Sequence, residues 1–201
     1  MTQAIHTRFV DIAQDLSPIL AAAIATTPPI QHIPRRDIPF PARLCQAVAG
    51  QQLSVKAAAS IWGRVVDRAA EQPLIEYLAT VSPDTLRACG LSAAKVKAMG
   101  AIASAALTKQ LDAHELGALN HGERTQRLTQ IWGVGQWTAD MMGIFYFGDP
   151  DIWPEGDTAA RKTLERLTSR RRKTIRTAAR FAPHRSYLAL YMWHQVDATP
   201  T

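Results

Sequence analysis

"LTQIWGVGQWTAD", residues 128–140, decides how the chain is read. It sets Gly133-Val134-Gly135 between two stretches whose apolar residues recur at helical spacing. Glycines on either side of a small apolar residue permit positive φ and let a partner approach the backbone closely. A helix that begins near Gln136 turns free N–H groups outward, and these, with the helix dipole, suit an anion such as a phosphate. The same residues also serve an ordinary helix-to-helix turn, and both readings stand on this stretch alone.

Outward from the turn, helical periodicity continues in both directions and alternating strand-like runs are scarce. "FPARLCQAVAG" reads as one helix, and "SVKAAASIWGRVVDRAAEQ" as a longer one capped by Ser54. In "SPDTLRACG", Ser82 caps, Pro83 and Asp84 suit the first turn, and Gly90 suits the exit. "SAAKVKAMGAIASAAL" starts at Ser92. Further helices fit "GERTQRLTQIW", "GQWTADMMGIFYF", "DTAARKTLERLTS", "KTIRTAARFA" and "RSYLALYMWHQV". The predicted fold class is all-α. Two irregular stretches interrupt it: the proline-rich "TTPPIQHIPRRDIPFP", residues 26–41, expected to be an ordered crossing, and "GDPDIWPEGD", residues 148–157.

The chain has 201 residues, 47% of them hydrophobic, which is enough to bury a core in one domain or two small lobes. Cys45 and Cys89 lack CxxC spacing, so neither a disulfide framework nor a zinc or iron–sulfur site is indicated. No basic-then-apolar signal layout opens the chain, and no apolar run approaches a membrane span. A soluble protein of the cytosol is expected. Net charge is +6, but residues 161–185 hold ten basic residues against the single acid Glu165. Such a run is either a solvated face or the electrostatic footprint of a polyanion binder. The six histidines show no metal spacing, and no GxSxG, P-loop or paired-thiol motif is present.

"L-x-x-I-W-G-V-G-Q-W-T-A-D" followed by "DIWPEGDTAARKTL" resembles the helix-hairpin-helix of the DNA glycosylase superfamily, with its Gly/Pro-rich loop and aspartate. "LCQAVAGQQLSVKAAASIW", "GLSAAKVKAMGAIASAAL" and "FAPHRSYLALYMW" resemble the 3-methyladenine DNA glycosylase II branch, so the likeness runs from about residue 40 to residue 194 in family order. The resemblance implies a two-lobed helical bundle with its active-site cleft between the lobes. Residues 48–140 would form the central lobe, and 1–47 with 141–201 the terminal one. Because helical sequence begins almost at once, the N-terminal β-rich domain that some relatives carry is not expected.

What the resemblance implies for single residues follows the same register. Gly133, Val134, Gly135 and Gln136 would grip a DNA phosphate through backbone amides, with Thr138 opening the second helix. Main-chain carbonyls of Thr129, Ile131 and Val134 would hold a monovalent cation. Asp157, four residues before Arg161, matches the catalytic aspartate, and Glu155 is its nearest competitor. A fixed carboxylate stabilises the positive charge that builds on deoxyribose as a base departs, and an N-cap role is compatible with this one. Trp137 stands where bifunctional relatives of the endonuclease III type carry a Schiff-base lysine, which implies a monofunctional enzyme. Trp137 and Trp193 occupy pocket-aromatic positions, where electron-poor alkylated purines stack, and Met141, Thr158 and His194 replace pocket residues that are often tyrosine. The loop "GQQLS" matches the wedge that fills the gap left by an extruded base: Gln52 or Leu53 would enter, with Gln51 in support. Lys97 and the 170–173 basic run are candidate phosphate contacts.

The implied activity is excision of alkylated purines by a monomer acting on damaged double-stranded DNA, with no organic cofactor. A different lesion (deaminated, oxidised or etheno), a non-catalytic DNA-structure binder, and a protein- or RNA-binding basic surface are the alternatives.

Overall fold

The structure is a computed structural model that describes residues 1–197, and every regular element among them is helical. No described helix is long and apolar enough to cross a membrane. The chain forms two compact units, one of Met1–Pro34 with the residues from Gly143 onward, the other Arg35–Met142.

In the first unit, α1 (Gln3–Leu16) and α2 (Pro18–Ala25) pack as a pair hinged on Ser17. The Ser17 amide closes the last turn of α1, while its hydroxyl accepts from the Ile19 and Leu20 amides to open α2. These helices pack with α11 (Thr158–Leu167), α12 (Thr174–Ala179) and α13 (Arg185–Asp197) around Phe9, Leu20, Ile24, Leu164, Phe181 and Leu188, all buried. Phe9 meets Phe181 edge to face, 4.9 Å between ring centres.

The second unit is built on α7 (Ala93–Leu107), which packs against α3 (Phe40–Gly50), α5 (Leu74–Thr80) and α6 (Pro83–Ala88). Met99 and Ile102 on α7 and Leu44 and Cys45 on α3 are wholly buried. Burial pushes the Cys45 thiol up to about 12, and Cys89 is a second buried free thiol. The unit is completed by α4 (Val55–Ala69), α8 (Ala113–Ala118), α9 (His121–Leu128) and α10 (Gln136–Met142). Ser54, Ser82 and Ser92 cap α4, α6 and α7 as the sequence predicts, and Gly90 leaves α6 at φ +99. Helical sequence is expected from the start of the chain, but no helix is predicted by its residues for α1, α2, α5 or α8.

Two details differ from expectation. The chain divides at residues 34 and 35, inside the proline-rich crossing, so α3 belongs wholly to the Arg35–Met142 unit, its apolar face buried there against α7. And "GQWTADMMGIFYF" is not one α-helix: α10 ends at Met142 and a π-helical turn, Gly143–Phe147, follows. The crossing packs on this turn, where His32 Nε2 lies 2.7 Å from the Ile144 carbonyl oxygen.

The loop before α11 is tied to the start of α13. Asp151 accepts from Arg185 Nε at 2.7 Å, Arg185 Nη2 at 2.9 Å and the Arg185 amide at 3.2 Å, and Ser186 bridges the Ile152 amide and the Asp149 carbonyl. The Arg185 hydrogen bonds hold the Asp151 carboxyl below its ordinary pKa. A carboxyl with a depressed folded value stabilises the fold above its unfolded pKa and loses that contribution as pH falls through the folded one. Asp151→Asn is therefore expected to cost about 1–2 kcal/mol at pH 7. In thermal denaturation across pH, the gap from wild type should be full at neutrality and should close below about pH 4.

Candidate functional site

In the Arg35–Met142 unit, the turn of the opening stretch joins α9 to α10. An Asn120–Glu123 capping box starts α9, which ends at Leu128, and the Val134 amide then donates to the Ile131 carbonyl at 3.0 Å. Val134 is buried between two exposed glycines that do different jobs. Gly133 sits at φ +87, and a β-carbon there would run into the Ala98 side chain on α7, so the fold itself demands glycine. Gly135 has an ordinary φ, and a β-carbon there would meet nothing within 4 Å. The second glycine's bare backbone is thus open to an outside group. The Ile131 carbonyl keeps one lone pair beyond its bond to Val134, compatible with a share in a monovalent cation.

Polar side chains at the start of α10 are tied within the protein. Gln136 donates to Asp140 Oδ1 at 2.7 Å, and buried Asp140 also lies 2.9 Å from His121 Nε2. Thr138 is 1% exposed, and its hydroxyl accepts from Gln51 Nε2 at 2.9 Å. At the hairpin's edge stand Trp132, 46% exposed, and Lys97, whose ammonium lies 4.4 Å above the Trp132 ring. Trp137 is half-buried and Met141 buried on α10.

The loop "GQQLS" links α3 to α4 in the same unit. Gln51 is half-buried, while Gln52, at φ +58, and Leu53 are exposed. Lys95, which the sequence reading passes over in favour of Lys97, donates from Nζ to the Ala49 and Gln51 carbonyls, each at 2.8 Å. Burial lowers its pKa. The signal was present in sequence: a lysine in the first turn of a Ser-capped helix stands at the dipole's unfavourable end unless its charge is used elsewhere.

In the other unit, Asp157 is the N-cap of α11. Its Oδ1 accepts from the Ala160 amide at 2.8 Å and from the Trp193 indole N–H at 2.9 Å. Capping places this carboxylate at the positive end of a ten-residue helix. Its competitor Glu155 is engaged structurally, accepting from the Trp153 indole at 2.6 Å and the Thr174 hydroxyl at 2.7 Å. Trp193, half-buried on α13, faces Phe145 of the π-helical turn with ring centres 5.5 Å apart. Phe145 is the aromatic that sequence reasoning missed, because only the long-range fold brings residues 145 and 193 together. Thr158 and His194 are exposed. The geometry thus yields an oriented carboxylate beside an aromatic surface, a pairing suited to stabilising a cation next to a flat ring.

The basic run separates into parts. Arg161 pairs with Glu165, Arg180 with Asp15 and Arg185 with Asp151, and Arg172 donates to the Leu16 carbonyl. Lys162, Arg166 and Arg170 instead line an open cavity of about 790 Å³. Four of the ten basic residues are thus engaged within the fold, and a cationic face remains.

Compared with known proteins, residues 45–183 match the family model for the HhH-GPD superfamily of base excision DNA repair proteins. The chain is 34% identical over 158 residues to DNA-3-methyladenine glycosylase 1 of Schizosaccharomyces pombe, covering 75% of this chain and 69% of that protein. It is 27% identical to DNA-3-methyladenine glycosylase 2 of Escherichia coli, covering 74% of this chain and 55% of that one. Among solved structures, the S. pombe 3-methyladenine DNA glycosylase Mag1 in complex with abasic DNA superposes with a TM-score of 0.80 at 26% identity, covering 96% of this chain and 98% of that one.

Proposed function

The chain belongs to the HhH-GPD superfamily of base excision DNA repair proteins, and from that premise we propose that it is a monofunctional DNA glycosylase that hydrolyses the N-glycosidic bond of alkylated purines of the 3-methyladenine type. The observation that carries this reading is the seating of Asp157, held at Oδ1 by the Ala160 amide and the Trp193 indole. As the C1′–N bond breaks, its electron pair leaves with the base and positive charge gathers on the deoxyribose. The Asp157 carboxylate stabilises that charge, and water adds to C1′ and loses a proton, leaving an abasic site. An alkylated purine is already electron-poor, so it leaves readily and stacks well on an aromatic face such as that of Trp193 and Phe145.

The hairpin would hold the duplex through the backbone around Gly135, a contact to phosphate that positions without reading sequence. Trp137 supports hydrolysis without strand cleavage, since an indole cannot form the Schiff base on which cleavage depends. The relatives in S. pombe and E. coli named for 3-methyladenine support the lesion class.

Incubation with methylated DNA, with the released bases identified and borohydride added to trap any covalent intermediate, tests the reading directly. Release of methylated purines with no trapped adduct is expected. Release confined to deaminated, oxidised or etheno bases would refute the alkylpurine assignment, and a trapped adduct would refute the monofunctional one. Within this mechanism Trp193→Phe keeps an aromatic ring facing Phe145 but deletes the N–H that orients Asp157. Its single-turnover excision rate is expected to fall about tenfold, the value of one hydrogen bond to a charged group.

A further inference from the structure

We propose that Lys95, with the Gln51–Thr138 hydrogen bond, is the positioning device that holds residues 51–54 in the shape needed to fill the gap left by an extruded base. The proposal rests on the glycosylase reading above and extends it to residues away from the Asp157 carboxylate.

The last carbonyls of a helix lack intrahelical partners, and those of α3 lie where the loop begins. Lys95 reaches across from the first turn of α7 and satisfies two of them at once, the Ala49 and Gln51 carbonyls, each at 2.8 Å. Placing an ammonium in the first turn of its own helix opposes that helix's dipole, but Nζ lies instead at the carbonyl end of α3, where a cation is favoured. Ala49 is fully buried and Lys95 half-buried, so the contact is made where water is partly excluded.

Gln51 is then held a second time. Its side-chain amide donates to the Thr138 hydroxyl at 2.9 Å, and Thr138 sits in the first turn of α10, directly after the hairpin. The loop's first residue is therefore fixed through its carbonyl to α7 and through its side chain to α10. Beyond it, the Leu53 amide donates to the Gly50 carbonyl at 3.2 Å, Gln52 takes the left-handed conformation, and Ser54 caps α4. With both ends secured, the tip projects outward: Gln52 is exposed, Leu53 is 41% exposed and Val55 88%. A non-glycine residue at φ +58 persists only when its surroundings determine it, and Lys95 and Thr138 supply those surroundings. A loop ordered during folding does not pay that ordering cost again on meeting DNA.

A wedge matters most when the base must be pulled from a pair, and less when the lesion is already unpaired. The test measures single-turnover release of 7-methylguanine placed opposite cytosine and, separately, opposite a tetrahydrofuran abasic analogue. Lys95→Met should slow release from the paired site by about tenfold or more, while release from the unpaired site falls by less than about threefold. Gln51→Ala, an alteration on a half-exposed loop that leaves the packing of α7 intact, should show the same asymmetry to a smaller degree, and it carries the comparison if Lys95→Met does not fold. An equal loss on both substrates, or no loss on either, overturns the positioning role. If the wild-type protein releases no base from either duplex, the glycosylase reading itself fails.

Discussion

Asp157→Asn is expected to lower base release by about 100-fold or more while leaving the fold intact, the effect of removing a preorganised charge from a developing cation. The variant separates two roles that coincide in one residue. Asparagine is as good an N-cap as aspartate, and its amide oxygen can still accept from the Ala160 amide and the Trp193 indole. What disappears is the negative charge. Thermal denaturation should therefore place the variant within about 0.5 kcal/mol of wild type, whereas Asp157→Ala should lose about 1 kcal/mol with the cap. Excision by Asp157→Asn at the wild-type rate would show that the chemistry lies elsewhere, and undiminished binding to an undamaged duplex would confirm that only the reaction step was touched.

The two glycines of the hairpin should respond in opposite ways to the same methyl group. Gly133→Ala places a β-carbon on a residue at φ +87 and against Ala98, so the turn must shift or α7 must yield. Backbone strain and overpacking together are expected to cost about 2–4 kcal/mol. Gly135→Ala meets open space at an ordinary φ, and stability should change by no more than about 0.5 kcal/mol. Its effect should appear instead in duplex binding, weakened about tenfold because the added carbon occupies the approach of a phosphate to the backbone. Fluorescence anisotropy at one fixed salt concentration, read beside melting temperature, checks both. Wild-type affinity for Gly135→Ala would mean that DNA does not come close to the backbone there.

Features that depend on a few neighbouring residues were legible in the sequence. Ser54, Ser82, Ser92 and Asp157 all cap helices as their positions foretold, because a cap needs only a short polar side chain and the turn that follows it. The choice of Asp157 over Glu155 rests on its register to Arg161; in the fold both carboxylates accept hydrogen bonds, Glu155 from Trp153 and Thr174 and Asp157 from Ala160 and Trp193. Less could be read where the partner lies far along the chain. Phe145 meets Trp193 across 48 residues of sequence, and Lys95 reaches carbonyls 44 and 46 residues earlier. Nor did the run of positive charge declare which of its members were committed, since Asp15 and Asp151, which neutralise Arg180 and Arg185, stand outside it.

The burial of both thiols has a bearing on survival under the conditions that create the proposed substrate. Methylating agents attack soft nucleophiles as well as purines, and in a cysteine the reactive species is the thiolate. Burial raises Cys45 to about 12, which keeps it in the thiol form at neutral pH, and Cys89 is shielded by packing. Both cysteines of the chain are thus withheld from attack in the folded state.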